Sequence, residues 1–195
     1  MHGLTNRAIE CFVRDTYGVE QWGDIGRIAD LNFSEFEGML IYDDSITENV
    51  LHAACTVLNR PLNEVLEDIG TYLVSHPNVE GLRRLLRFGG VNFVEFLHSL
   101  DDLPDRVRLA VSDLDLPRIE LREHGPDRFS LICQSEFRGY GFVLMGLLRA
   151  MADDYGALVL LDYQGGGQGI ESISITLIES SHSDGRAFEL GARSA

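Results

Sequence analysis

The sequence predicts an α+β fold: a helical lobe over residues 1–116, then a sheet-containing lobe over 117–178 made of two β-hairpins around one helix. Two observations predict it. Apolar residues recur near every 3.6 positions up to Pro117 and near every second position beyond it. Turn signals then fall at Gly125-Pro126-Asp127 and at Gly165-Gly166-Gly167-Gln168-Gly169, on either side of an apolar helical run. With 195 residues and 45% apolar composition the chain can bury a full core. It reads as a single domain over 1–178 with a flexible polar tail at 179–195.

The first helix carries Ala8, Ile9, Phe12 and Val13 on one face and stops at Asp15-Thr16-Tyr17-Gly18. A second spans Val19 to Ala29, with Trp22, Ile25 and Ile28 inward, and 32–45 reads as an irregular link. Ser45 and Glu48 form a capping box for a helix carrying Val50, Leu51, Ala54 and Leu58. Pro61 is placed to open the next helix at its first position, where its absent N–H costs nothing. That helix ends at Ser75-His76-Pro77. A short linking helix over 78–87 is broken by Gly89-Gly90. A further helix begins at Val91, and Pro104 interrupts it or opens a new segment over 105–111. Beyond Pro117 come strands around Ile119 and Phe129, the helix from Tyr140 to Tyr155, and a second hairpin over 157–178.

The formal charge of −15 comes from 31 acidic against 16 basic residues, and every base is Arg. Such a surface repels phosphate backbones and anionic lipid, which argues against nucleic acid and membrane partners. Cys11, Cys55 and Cys133 are odd in number and set among apolar residues, as small buried hydrophobes are. A reducing compartment follows, and with no apolar leader or spanning run the expected location is cytoplasmic. The glycine run at 165–169 precedes an alternating strand and not a helix, so it is read as a hairpin turn and not a phosphate cradle. Six scattered His show no metal-ligand spacing, and no catalytic constellation emerges, so the chain is read as a non-enzyme.

The stretch Phe96-Leu97-His98-Ser99-Leu100-Asp101-Asp102-Leu103-Pro104, with Pro117 thirteen residues after Pro104, resembles the H-NOX family of heme-nitric oxide/oxygen binding domains. The family pattern is Phe-Leu-x-x-Leu/Ile-Asp-x-Leu/Val-His followed thirteen residues later by a Pro that packs on the heme. Phe96, Leu97, Leu100, Asp101, Leu103 and Pro117 match it, and Pro104 stands where the iron-binding His stands. Met1-His2-Gly3 before the first helix, and Leu62-Asn63-Glu64-Val65 with Asp68-Ile69-Gly70, resemble further family signatures. The resemblance covers roughly residues 1–178 and implies a single four-stranded antiparallel sheet in the second lobe.

It also implies a site. The family's heme-propionate motif, Tyr-x-Ser-x-Arg, aligns with Cys133-Gln134-Ser135-Glu136-Phe137, which keeps Ser135 and places Arg138 one residue late. A proline offers iron no lone pair. His98 is then the candidate metal ligand, although six residues before Pro104 on a continuous helix puts it about 120° from the proximal face. His76 and His2 are weaker candidates. On the distal side Phe142 aligns with the family's oxygen-holding Tyr, and Leu73 replaces a polar partner. The resemblance implies a stand-alone sensory protein that binds heme and a diatomic gas such as NO and signals to a histidine kinase or a cyclic-dinucleotide enzyme. The alternative is a heme-free relative that binds another apolar ligand or serves as a protein-interaction module.

Overall fold

A computed structural model describes residues 1–114 and 116–188. Among them eight α-helices precede or separate four strands: α1 (Gly3–Thr16), α2 (Val19–Ile28), α3 (Asp44–Leu58), α4 (Leu62–Ser75), α5 (Glu80–Arg87), α6 (Phe93–His98), α7 (Leu103–Ala110), β1 (Arg118–Gly125), β2 (Arg128–Gln134), α8 (Tyr140–Tyr155), β3 (Leu158–Gly165) and β4 (Ile170–Glu179). The strands form one antiparallel sheet in the order β1-β2-β4-β3. Leu131 of β2 stands opposite Leu121 on one side and Ile173 on the other. The period-2 alternation thus turns Ile119, Phe129, Leu131, Cys133, Ile173 and Ile175 toward one buried face. None of the described helices is long and apolar enough to cross a membrane.

Several helix ends differ from the sequence expectation. α3 starts at Asp44 with Asp43 as its N-cap, so Ser45 lies inside the first turn and makes no capping box. The Asp43 carbonyl already accepts the Ile46 N–H at 3.0 Å, and Asp44 supplies the acid favoured beside a helix N-terminus. Pro61 is the N-cap of α4, one residue outside the helix. The linking helix opens with a 3-10 turn at Pro77–Val79 before α5.

The largest difference falls in the motif stretch. No continuous helix runs from Val91 to Leu103. The Asn92 side chain accepts the Glu95 N–H at 2.9 Å, and the Glu95 carboxylate accepts the Val91 N–H at 2.9 Å, which fixes the start of α6 at Phe93. α6 ends at His98. The Ser99 hydroxyl donates to the Phe96 carbonyl at 2.7 Å, and Arg106 donates to the Ser99 carbonyl at 2.9 Å, which secures the turn between the two helices. Pro104 therefore opens α7 in its first turn, where a missing N–H leaves no bond unmade.

Two apolar cores result. One gathers α1 to α4 around Phe12, Val13, Ile25, Val50 and Leu66; the other gathers α5 to α8 and the sheet around Phe96, Leu100, Leu131, Leu148 and Ile173. α4 and α8 join them at backbone contact. A Cβ on Gly70 would lie 2.0 Å from the Val143 carbonyl oxygen, and one on Gly146 would lie 1.9 Å from that of Glu67. Only glycine permits this approach.

Beyond β4, the stretch expected to begin a flexible tail folds back on the end of α8. His182 and Ser183 donate backbone N–H groups to the Gly156 carbonyl at 2.8 and 3.0 Å, and Arg186 donates to that of Asp154 at 2.9 Å. The last part of the expected tail, 189–195, lies outside the described residues.

Candidate functional site

Where the two cores meet they leave a cavity of about 220 Å³. Leu4 and Ala8 of α1, Leu51 of α3, and Leu66, Ile69 and Leu73 of α4 form one wall. Leu82 and Leu86 of α5, Leu103 and Val107 of α7, Pro117, Ile119, and Val143, Leu144 and Leu147 of α8 form the other. Among the described residues the polar exceptions are Thr5, Thr47 and Tyr140. Thr47 donates its hydroxyl to Asn6 Oδ1 at 2.7 Å, deep inside the first core. Tyr140 contributes the only phenol of the lining among the described residues; burial, and then the neighbouring Cys133, push its pKa upward and hold it neutral.

A second, more polar hollow of about 340 Å³ adjoins the cavity and shares Leu66 and Phe137 with it. Ser135, Arg138, Phe142, Tyr163, Glu171 and the glycine-rich turn line it. Glu171 is already engaged: it accepts the Gly139 and Gly141 N–H groups at 3.0 and 2.8 Å and the Tyr163 hydroxyl at 2.6 Å. This carboxylate, from β4, serves the first orphan donors of α8. Burial and then the bond to Glu171 push the Tyr163 phenol up to about 12, and Phe142 stacks on its ring at 4.2 Å.

The sequence candidates are thus divided. Leu73 and Pro117 line the apolar cavity; Ser135, Arg138 and Phe142 line the adjoining hollow; Pro104 lines neither, although Leu103 and Val107 beside it face the cavity. His98 stands elsewhere. Its ring lies 3.8 Å from the Glu123 carboxylate, edge-on to Phe129, and its side chain is 51% exposed. Glu123 is six residues along the chain from Pro117, about 20 Å at roughly 3.3 Å per residue. The expectation of His98 as a metal ligand meets this geometry: α6 ends at His98, so the helical phase that related it to Pro104 does not exist. His76 stacks on Tyr72 at 5.0 Å, and His2 caps α1 by accepting the Leu4 N–H at 3.1 Å. Among the described residues no cluster of three His, Cys, Asp or Glu is placed to hold a metal ion.

Sequence reasoning missed Tyr140 and Phe137. Tyr140 was legible only as the first residue of a helix, and Phe137 only as a departure from the propionate motif. Both sit where chain segments distant in sequence converge, and their spacing carries no mark of that.

These residues do not fit heme. Among the described residues an axial donor is absent, since neither Pro104 nor any imidazole or thiol lines the cavity. Tyr140, as a neutral, half-buried phenol, is poorly prepared to serve as a phenolate ligand, and a thioether such as Met1 ordinarily ligates opposite a His. Among the described residues no side-chain charge lines this cavity to meet propionates, Ser135 and Arg138 lining the adjoining hollow instead, and the cavity's volume lies below the roughly 300–1,000 Å³ typical of pockets for drug-sized ligands, which a porphyrin exceeds in size.

The chain is similar to known proteins over most of its length. The family described as haem-NO-binding matches residues 2–161. Soluble guanylate cyclase 89Db of Drosophila melanogaster is 21% identical over 163 residues, covering 84% of this chain and 24% of that protein. Soluble guanylate cyclase gcy-37 of Caenorhabditis elegans is 26% identical over 156 residues, covering 78% of this chain and 22% of that one. The chain spans about a quarter of the length of these curated relatives. Among solved structures, the H-NOX protein from K. algicida superposes with a TM-score of 0.79 at 17% identity, covering 92% of this chain and 97% of that one. The H-NOX protein from S. oneidensis in the Fe(II)NO state gives 0.73 at 18% identity, covering 91% and 99%. With the family matched across both lobes and the H-NOX fold reproduced, this chain belongs to the haem-NO-binding (H-NOX) family.

Proposed function

We propose that this sensor domain works without an iron–imidazole bond, and that its inter-core cavity takes a compact, largely apolar molecule carrying one hydrogen-bond acceptor. The observation that carries this reading is the lining: aliphatic side chains from both cores, with Tyr140 as a neutral phenolic donor and, among the described residues, no imidazole or thiol to ligate iron. A scaffold kept only for protein interaction has no need of a dry space of this size, which lowers stability through lost dispersion contacts. The domain passes the occupied state to an effector, by family likeness a cyclase, a histidine kinase or a cyclic-dinucleotide enzyme.

An apolar cavity of about 150 Å³ suffices to bind benzene, so small aromatic hydrocarbons are suitable probes. Calorimetric titration with toluene is expected to show saturable one-to-one binding, strengthened when a phenol-accepting ketone of similar size replaces it. Tyr140→Phe should remove that strengthening and leave toluene binding unchanged. Absence of saturable binding by either probe would overturn the reading.

A further inference from the structure

α5 carries two different faces. Leu82 and Leu86, four residues apart, line the cavity. Arg83 and Arg87, about 100° further round the helix, face the end of α8 and the folded-back segment. There Arg83 donates through Nε to Asp154 Oδ1 at 2.8 Å and through Nη2 to the Ala187 carbonyl at 3.3 Å. The Arg87 guanidinium is sandwiched, 4.0 Å from the Tyr155 ring centroid and 4.9 Å from that of Phe188. Arg83 and Asp154 are both buried, and the Asp154 backbone carbonyl also accepts the Arg186 N–H. Segment 182–188 is therefore seated on α5 through cations that would otherwise be buried with fewer partners.

α5 has eight residues, too few to be a stable helix in water by itself, so its order depends on what covers it. One cover is the folded-back segment. The other face packs on the second core through Leu86 and borders the void there, and side chains that line a void forgo dispersion contacts on that side.

We propose that α5 couples the two: a ligand in the cavity and segment 182–188 support neighbouring faces of one short helix, so that each strengthens the other. The coupling presupposes the ligand cavity proposed above. Filling the void orders α5, and an ordered α5 presents Arg83 and Arg87 in position for the segment. The second event then meets a helix whose ordering cost is already met, which is positive cooperativity without a large change of shape. Cavity occupancy is thereby transmitted to the part of the chain that leads away from the sheet.

The test is amide hydrogen exchange on the full chain at His182, Ser183 and Arg186, with Ile173 and Ile175 of β4 as internal references. Saturating toluene is expected to slow exchange at the three segment amides about fivefold, the lower range of typical couplings between sites, while the buried references, which open only with global unfolding, slow by the factor 1 + [L]/Kd that reports occupancy itself. Phe188→Ala should quicken exchange at the same amides and, by linkage, weaken toluene binding, by at most the factor through which toluene protects them. If toluene binds while the segment amides do not respond, the coupling is overturned and the cavity reading stands. If toluene does not bind, the cavity reading falls, and the coupling rests on covalent filling from elements other than α5. Val107→Phe from α7 or the smaller Ala8→Val from α1 must then slow the same exchange, and unchanged or faster exchange in both overturns it.

Discussion

Glu171 shows how one residue organises its surroundings. Its carboxylate accepts two backbone N–H groups of the α8 start and the Tyr163 hydroxyl. Glu171→Ala leaves these donors unpaired in a partly buried place, at about 1–3 kcal/mol, which urea denaturation would read as a lower midpoint at unchanged slope. The same neighbourhood contributes to the alkaline limit. Burial, and then the Glu171 charge, push the Cys133 thiol up to about 12, and Tyr163 is pushed up to about 12. An acid whose folded value is raised contributes its full stability below the unfolded value and loses it as pH climbs toward the folded one. Unfolded thiols and phenols titrate near about 8.5 and 10. Stability should therefore be flat up to about pH 8.5 and fall progressively toward 12. Cys133→Val should make the fall between about pH 8.5 and 10 shallower, leaving the part carried by the Cys11 and Cys55 thiols, which burial also raises, as denaturant midpoints measured across that range would show.

At the scale of elements, the seam between α4 and α8 and the break between α6 and α7 decide where the cavity lies. Gly146→Ala places a methyl 1.9 Å from the Glu67 carbonyl, and backbone cannot yield as a side-chain tip does. A loss of about 1–3 kcal/mol and of toluene binding together is expected, checked by denaturation and calorimetry on one preparation. Pro104→Ala, by contrast, changes a first-turn position that makes no bond to lose, and should cost less than about 1 kcal/mol. These elements were legible to different degrees. The switch of period at Pro117 and the two turn signals announced the ββαββ half because strand alternation and glycine turns are local properties. Neither end of α6 was read: Asn92 and Glu95 carry the capping signature of its start, but Val91 continued the apolar pattern, and the Arg106 to Ser99 bond that secures the turn after its end links segments no periodicity relates. The division of Ser135, Arg138 and Phe142 from Leu73 and Pro117 likewise arises from packing of Phe137 and Leu66 between two hollows, which spacing alone does not encode.

For the whole molecule, the net charge of −15 with Arg as the only cation has two consequences. Self-repulsion opposes compaction, so raising ionic strength from 0.01 M to 0.15 M, where the screening length falls from about 30 to 8 Å, should raise the thermal midpoint by a few degrees. A basic effector surface would associate quickly and in a strongly salt-dependent way, a feature of on-rate more than of affinity. Family membership supplies the fold and its two-core design, while the residues that face the cavity determine what the design can hold. The measurement that tests this most directly is an absorption spectrum of the chain purified from heme-supplemented cells and then titrated with hemin. No saturable Soret band is predicted, because among the described residues lining the cavity there is no axial donor and no charged anchor for a propionate. A stoichiometric Soret band would contradict the reading and restore heme as the ligand of the cavity.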